Sequence, residues 1–422
     1  MSKHQRSSGK QACLAALDHW RSSAGSERVL DVRWLVSGTE VPLEYMRLTE
    51  SAGVISDVRP IPDSERQSAA PLMLMPPLVN SHTHLEFSGL AEPLGPRDSF
   101  AGWIGAVLQQ RNHPERDAAV EISKGLWECE CNFLHTVGEI VTSSEISEYP
   151  ESQALQKVMF QEVIGLTDSR IDEQYSMAVA RVQQIRASGR QDLLAGLSPH
   201  ASYTVHPDLL QRLTALSTEY GLTVAMHLAE TRAEMQLLEH GNGELAEMLQ
   251  RMGLFSARLF SGGRTICELL EILAAAPRAL VVHGNYLGPA ELKFLQQHPR
   301  MTVVYCPRTH AWFRHDDYPL QAMLASGIRV VLGTDSRASN PDLNLMQELA
   351  FVMQQNKWLK TEDAVSMITH QAAAALGCRN SATDFHAGCA AIGTLLSAEC
   401  DDQSSRQLLA TGAMSAVGRL EL

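Results

Sequence analysis

His82 and His84 stand one residue apart in the stretch PPLVNSHTHLEFSGL, directly after a short apolar run. Side chains i and i+2 of a β-strand point to the same side, so two imidazoles at a strand end make half of a metal site. A bare His-x-His is equally an ordinary polar strand terminus, and the chemistry depends on partners elsewhere. Such partners recur down the chain: Glu162 lies within a later apolar run, and His200, His227 with Glu230, His283, Arg308 with His310, and Asp335 each close or follow one. Three imidazoles and one carboxylate suit one divalent cation such as Zn²⁺, which leaves room for a water whose pKa the metal lowers toward about 7. Glu230 lies three residues past His227, which places it on the loop beyond the cation. There it is suited to move a proton between the water and a substrate nitrogen; the alternative is a helix-start carboxylate that satisfies backbone N–H groups. His283 is suited to hydrogen-bond the same water or orient it.

The elements that must carry these residues read as repeated βα units. Eight apolar runs qualify as strands: those around Leu78, 134–141, 159–164, 193–197, 223–226, 280–282, 302–305 and 329–332. They are rich in Val, Leu and Ile, as strands buried on both faces are. Between them lie amphipathic stretches. HPDLLQRLTALSTEYG, for example, puts Leu209, Leu210, Leu213 and Leu216 on one helical face, with Pro207 in the first turn and Gly221 at the end. Eight units in series predict an α/β fold of the (β/α)₈ TIM-barrel type, with reactive residues at the C-terminal strand ends. An open doubly wound sheet is disfavoured because the Gly-x-Gly-x-x-Gly turn is absent. Short β-like segments before Pro76 and near the C-terminus predict one small β-sheet domain formed from both chain termini. The expected division is a leader over 1–26, the small β domain over 27–75 and 381–422, and the barrel over 76–380.

Composition narrows the partners. Of the 422 residues 45% are hydrophobic and 20% charged, and no apolar run approaches the length needed to span a membrane. The net charge of −13 and the lack of a Lys/Arg cluster disfavour nucleic acid. The eight cysteines show no Cys-x-x-Cys spacing, which argues against a zinc ribbon or a redox motif. ACLAAL, interrupted by Asp18, is too short for a signal-peptide core, so a cytoplasmic protein is expected.

The motifs PPLVNSHTHLE, SPHASYTV, MHLAET, VVHGN and VVLGTDS, in that order, resemble the amidohydrolase superfamily. They are most similar to its mononuclear aminohydrolase branch, which holds cytosine, guanine, S-adenosylhomocysteine and aminodeoxyfutalosine deaminases together with triazine chlorohydrolases. The resemblance covers about residues 30 to 380. It implies that His82, His84, His227 and Asp335 are metal ligands, with one Zn²⁺ per chain or Fe²⁺ in its place. It further implies that Glu230 is the proton shuttle, that His283 helps polarise the attacking water with Asp335, and that His200 contacts substrate. The fourth strand has no Lys for a bridging carbamate, which favours one metal over two. Glu162 fits a structural or substrate-contacting role, although some relatives use a third-strand Glu as ligand. HTHLEFS looks most like the aminodeoxyfutalosine deaminases, where Glu86 would lie beside the metal and bind a ribose hydroxyl or ring substituent. Pro77 replaces the family's Gly, CPRTHAWF replaces its usual loop after the seventh strand, and its C-terminal sheet motif is degraded. Arg308, His310 and Trp103 join the expected substrate contacts; Trp103, Trp312 and Phe313 either stack on a base or pack between helices. The implied reaction is hydrolytic deamination of a cyclic amidine, an aminopurine nucleoside first, with a small-molecule substrate and a possible homodimer. The alternatives are the same site with another leaving group (chloride, cyclic amide or imidate) and a non-catalytic barrel.

Overall fold

The computed structural model describes residues 14–16, 18, 20, 27–37, 41–143, 145–378, 384–398, 404–412 and 414–420. Its strands are β1 (Arg28–Leu35), β2 (Leu43–Ser51), β3 (Val54–Pro60), β4 (Ala70–Met75), β5 (Leu78–Thr83), β6 (Leu134–Val141), β7 (Gln156–Val163), β8 (Leu193–Pro199), β9 (Thr223–Leu228), β10 (Arg278–His283), β11 (Met301–Tyr305), β12 (Val330–Leu332), β13 (Gly393–Ala398) and β14 (Met414–Leu420). Strands β5 to β12 pair in parallel and in sequence order. The remaining six form a second, mixed sheet in the order β14-β13-β4-β1-β2-β3, so both ends of the chain meet in it as expected.

Local sequence explains both sheets. In β1 the alternation buries Leu30, Val32 and Trp34, while Asp31 turns outward and takes a two-pronged hydrogen bond from Arg47, its direct partner on β2. Pro76 and Pro77 then separate β4 from β5, where the chain leaves one sheet for the other. Between the barrel strands the helices follow the expected pattern. Pro207–Tyr220 has Pro at its first turn, buries Leu209, Leu210, Leu213 and Leu216, and stops at Gly221, whose φ of 69° suits glycine.

The barrel closes between its first and last strands. Thr83 bridges Asp335, Asp335 N–H donates to the His82 carbonyl (3.0 Å), and Asn80 exchanges bonds with Thr334 (2.8 and 3.1 Å). Val79, Val158, Phe160, Ala225, Leu280 and Val331, drawn from five of the barrel strands, belong to the buried cluster that fills the interior. Most of the leader expected over 1–26 lies outside the described residues; Trp20 is buried in the core of the mixed sheet, under the Arg28 guanidinium. Among the described residues no helix is long and apolar enough to cross a membrane.

Candidate active site

His82 reaches the barrel interior by an irregularity. Strict alternation from the inward-facing Val79 would send residue 82 outward. The register with β6 shifts, however: Asn80 pairs with Val137 and Thr83 with Glu139, so three steps on β5 oppose two on β6. This bulge turns His82 inward. The fit is close, since a Cβ on Gly138 would lie 2.5 Å from the Ser81 carbonyl oxygen and one on Gly333 would lie 2.8 Å from the His82 Cβ. Beyond the bulge, buried Glu139 accepts from Thr83 Oγ1 (2.7 Å), the Leu85 N–H and Tyr149 Oη, and so pins the segment that carries His84.

Four side chains converge at this rim. One nitrogen from each of His82, His84 and His227 lies within 4.8 Å of the others, and the Nε2 atoms of His84 and His227 are 3.3 Å apart. Asp335 Oδ1 is 3.5 Å from His82 Nε2 and 3.6 Å from His84 Nε2. Its Oδ2 accepts from Ser339 Oγ (2.9 Å), and its φ of 59° bends the backbone so that the carboxylate faces the imidazoles. His227 Nδ1 is 2.9 Å from the His200 carbonyl. Donation there fixes the tautomer and leaves the Nε2 lone pair for a cation. Both ring nitrogens of His82 are buried without a hydrogen-bond partner, an unfavourable state for polar atoms unless a ligand satisfies them. Burial, with the other imidazoles, pushes His84 and His227 well below the usual histidine range, so they are neutral donors. Orphaned nitrogens, neutral imidazoles and one carboxylate fit a divalent cation that keeps a further position open.

Glu230 follows β9 after Ala229, whose φ of 53° reverses the chain. The helix start does not use Glu230: Thr231 caps it, its Oγ1 accepting from the Glu234 N–H (3.1 Å), while the Glu234 carboxylate is held by Ser202 Oγ and accepts from the Glu230 N–H (2.8 Å). Asn285 Nδ2 holds the Glu230 carbonyl (2.9 Å). The Glu230 side chain is thereby free for the cavity, with Oε1 3.5 Å from His283 Nε2. Burial raises its pKa well above the usual carboxylate range, with Asp335 and Glu234 adding to the shift. His283 ends β10 at a φ of 70°, and Tyr318 Oη donates to its carbonyl (2.9 Å).

A cavity of about 390 Å³ opens over these residues. Its outer wall is largely apolar, built by Phe100, Ile104 and Val107 of the helix Phe100–Arg111 and by Met248 and Met252 opposite. Ser99 Oγ and the Phe100 N–H donate to Glu244, which ties that helix to the facing one. His200 and Trp103 line the cavity as expected; Trp103 also donates to the Ala338 carbonyl (3.1 Å) and stacks on Phe100. Glu162 lines it as well, beside Arg111, a residue that sequence reasoning missed.

Three expected substrate contacts are elsewhere. Glu86 is not among the lining residues: its carboxylate accepts from Arg111 (2.8 Å), Arg116 (2.9 Å) and Thr142 (3.1 Å). Arg308 sits on the short helix Pro307–Trp312, where its guanidinium and N–H bind Glu348 (2.6 and 3.0 Å) and its fork binds Asp342. His310, two residues on, packs against Tyr305, His315 and Tyr318. These residues are committed to holding loops. Trp312 lies beneath the Arg97 guanidinium and Phe313 is buried in the core, so of the three aromatics only Trp103 faces the cavity.

The family model described as "Amidohydrolase family" matches residues 73–397. The chain belongs to the amidohydrolase family. It is 27% identical over 279 residues to the aminodeoxyfutalosine deaminase of a Nitratiruptor species, a match that covers 66% of each chain; it thus spans just under two thirds of that relative's length. The fold is similar to the crystal structure of Helicobacter pylori aminofutalosine deaminase, with a TM-score of 0.76, 18% identity and coverage of 93% and 97% of the two chains. It is also similar to a zinc-bound adenosine deaminase from Xanthomonas campestris, with a TM-score of 0.71, 21% identity and coverage of 92% and 89%.

Proposed function

We propose that this amidohydrolase removes the exocyclic amine of an aminopurine nucleoside by hydrolysis, with aminodeoxyfutalosine as the first substrate to test. A divalent cation held by His82, His84, His227 and Asp335, Zn²⁺ before Fe²⁺, supplies the Lewis acidity that makes a water nucleophilic near neutral pH. The observation that carries the reading is the carboxyl of Glu230, left out of the helix cap that Thr231 supplies, raised in pKa by burial and facing the cavity beside His283. Glu230 gives its proton to the ring nitrogen next to the attacked carbon. Asp335 and His283 orient the water as its oxygen bonds to that carbon. The carbon–nitrogen bond to the amine then breaks; of the water's two protons, one leaves with the amine as ammonia and the other restores the Glu230 carboxyl. The similar proteins named as deaminases of this substrate class support the choice of leaving group. The six described cysteines are all unpaired, which supports a reducing compartment, the cytoplasm.

The test is ammonia release by metal-assayed protein with aminodeoxyfutalosine, S-adenosylhomocysteine and adenosine. Glu230→Gln is expected to lower turnover about 10²- to 10⁴-fold while metal content stays at the wild-type level. Undiminished turnover refutes the role of Glu230, and a metal-loaded protein silent on all three substrates refutes the nucleoside deaminase.

A further inference from the structure

The cavity holds a second carboxyl that the proposed chemistry does not use. Glu162 ends β7 buried, yet it lines the cavity. Two nitrogen-bearing neighbours stand just beyond hydrogen-bonding distance: His200 Nε2 is 3.8 Å from Oε1, and Arg111 Nη1 is 4.0 Å from Oε2. Each neighbour is held from behind. His200 Nδ1 is bound to Thr204 Oγ1 (2.7 Å), and Arg111 Nη2 donates to Glu86 (2.8 Å). The Arg111 Nε is buried without a partner. An acceptor thus faces the cavity between two groups kept from collapsing onto it. A hydroxyl suits such a place, because it donates to one partner and accepts from another.

Resting on the nucleoside reading above, we infer that Glu162, and not Glu86, is the carboxylate that binds the hydroxyl groups of the substrate's sugar, with Arg111 as the accompanying donor. Glu86 has its oxygens occupied by Arg111, Arg116 and Thr142 and serves as a positioning residue for the Arg111 guanidinium. The ring nitrogen then reaches Glu230, the hydroxyls reach Glu162, and whatever the sugar carries lies along the apolar wall of the helix Phe100–Arg111.

The experiment measures equilibrium binding of adenosine and of 2′,3′-dideoxyadenosine to metal-loaded Glu230→Gln protein, in which turnover is suppressed. Adding Glu162→Leu is expected to weaken adenosine about 10- to 100-fold, the value of a hydrogen bond to a charged group, and to leave the dideoxy compound unchanged. Glu162→Gln, which keeps one acceptor, recovers part of the loss. Equal weakening of both compounds indicates a structural role and overturns the inference. So does the hydroxyl-selective loss appearing in Glu86→Gln rather than at Glu162, or a failure of adenosine to bind more tightly than the dideoxy compound before Glu162 is changed. The deaminase reading fails separately, through absent ammonia release by the wild-type protein.

Discussion

Gly138→Ala tests whether the β5 bulge makes the metal site. A Cβ there would lie 2.5 Å from the Ser81 carbonyl oxygen, 3.0 Å from its carbon and 3.1 Å from Leu376 Cδ2. The first two are backbone atoms, so no rotamer change relieves them. Ordinary contact begins near 3.4 Å, and the carbonyl must therefore retreat by about 0.9 Å. It belongs to the residue before His82, whereas metal–ligand distances tolerate only about 0.2 Å. Overpacking of this kind costs about 1–3 kcal/mol in the fold, and misplacing a ligand through its support weakens metal binding about 10- to 100-fold. Urea melts of the metal-free protein measure the first quantity and competition with a chromophoric chelator the second. Gly262→Ala is the control, because a Cβ there meets nothing within 4 Å; its metal affinity is expected to match wild type. If Gly138→Ala also binds metal with wild-type affinity, the bulge does not set the position of His82.

Two further substitutions separate roles in and around the cavity. Burial pushes the Glu162 carboxyl up to about 7, against Arg111 and with help from Glu86. Below its ordinary value of 4.5 it is protonated both folded and unfolded; as pH rises toward 7 only the unfolded chain releases the proton, so ionisation increasingly disfavours the fold. Metal-free Glu162→Gln should therefore melt with wild type near pH 5 and above it at pH 8, by on the order of 3 kcal/mol at most; equal melts at both pH values contradict the raised pKa. Arg308→Met removes the partner of fully buried Glu348 and is expected to cost about 3–5 kcal/mol in a denaturant melt. It should leave KM within about twofold of wild type, whereas a large rise in KM with intact stability would restore Arg308 to the substrate site.

Which features were legible from sequence follows from the range of the forces involved. The strands were readable because a barrel strand is buried on both faces and is mostly apolar, as Thr223–Leu228 is, buried throughout with only Thr223 and His227 polar. The clustering of His82, His84, His227 and Asp335 was readable because few residue types bind a cation and barrel topology restricts them to one rim. Alternation correctly brought His82 and His84 together, with ring centroids 4.8 Å apart, but it did not reveal which way the pair faced. That depends on an extra residue relative to β6, a strand more than fifty residues away in the chain, and its only local trace is Gly138. Glu86 shows the same limit. Its residue type and place beside the metal motif suit a substrate contact, yet its state is decided by Arg111 and Arg116, 25 and 30 residues on. Arg111 left a signal of its own: Phe100, Ile104, Val107 and Arg111 share one helical face, and an arginine closing an apolar stripe asks what that stripe faces. Here it faces the cavity, so the stripe that periodicity assigns to a core forms an apolar wall of that cavity, with the Arg111 charge at its end.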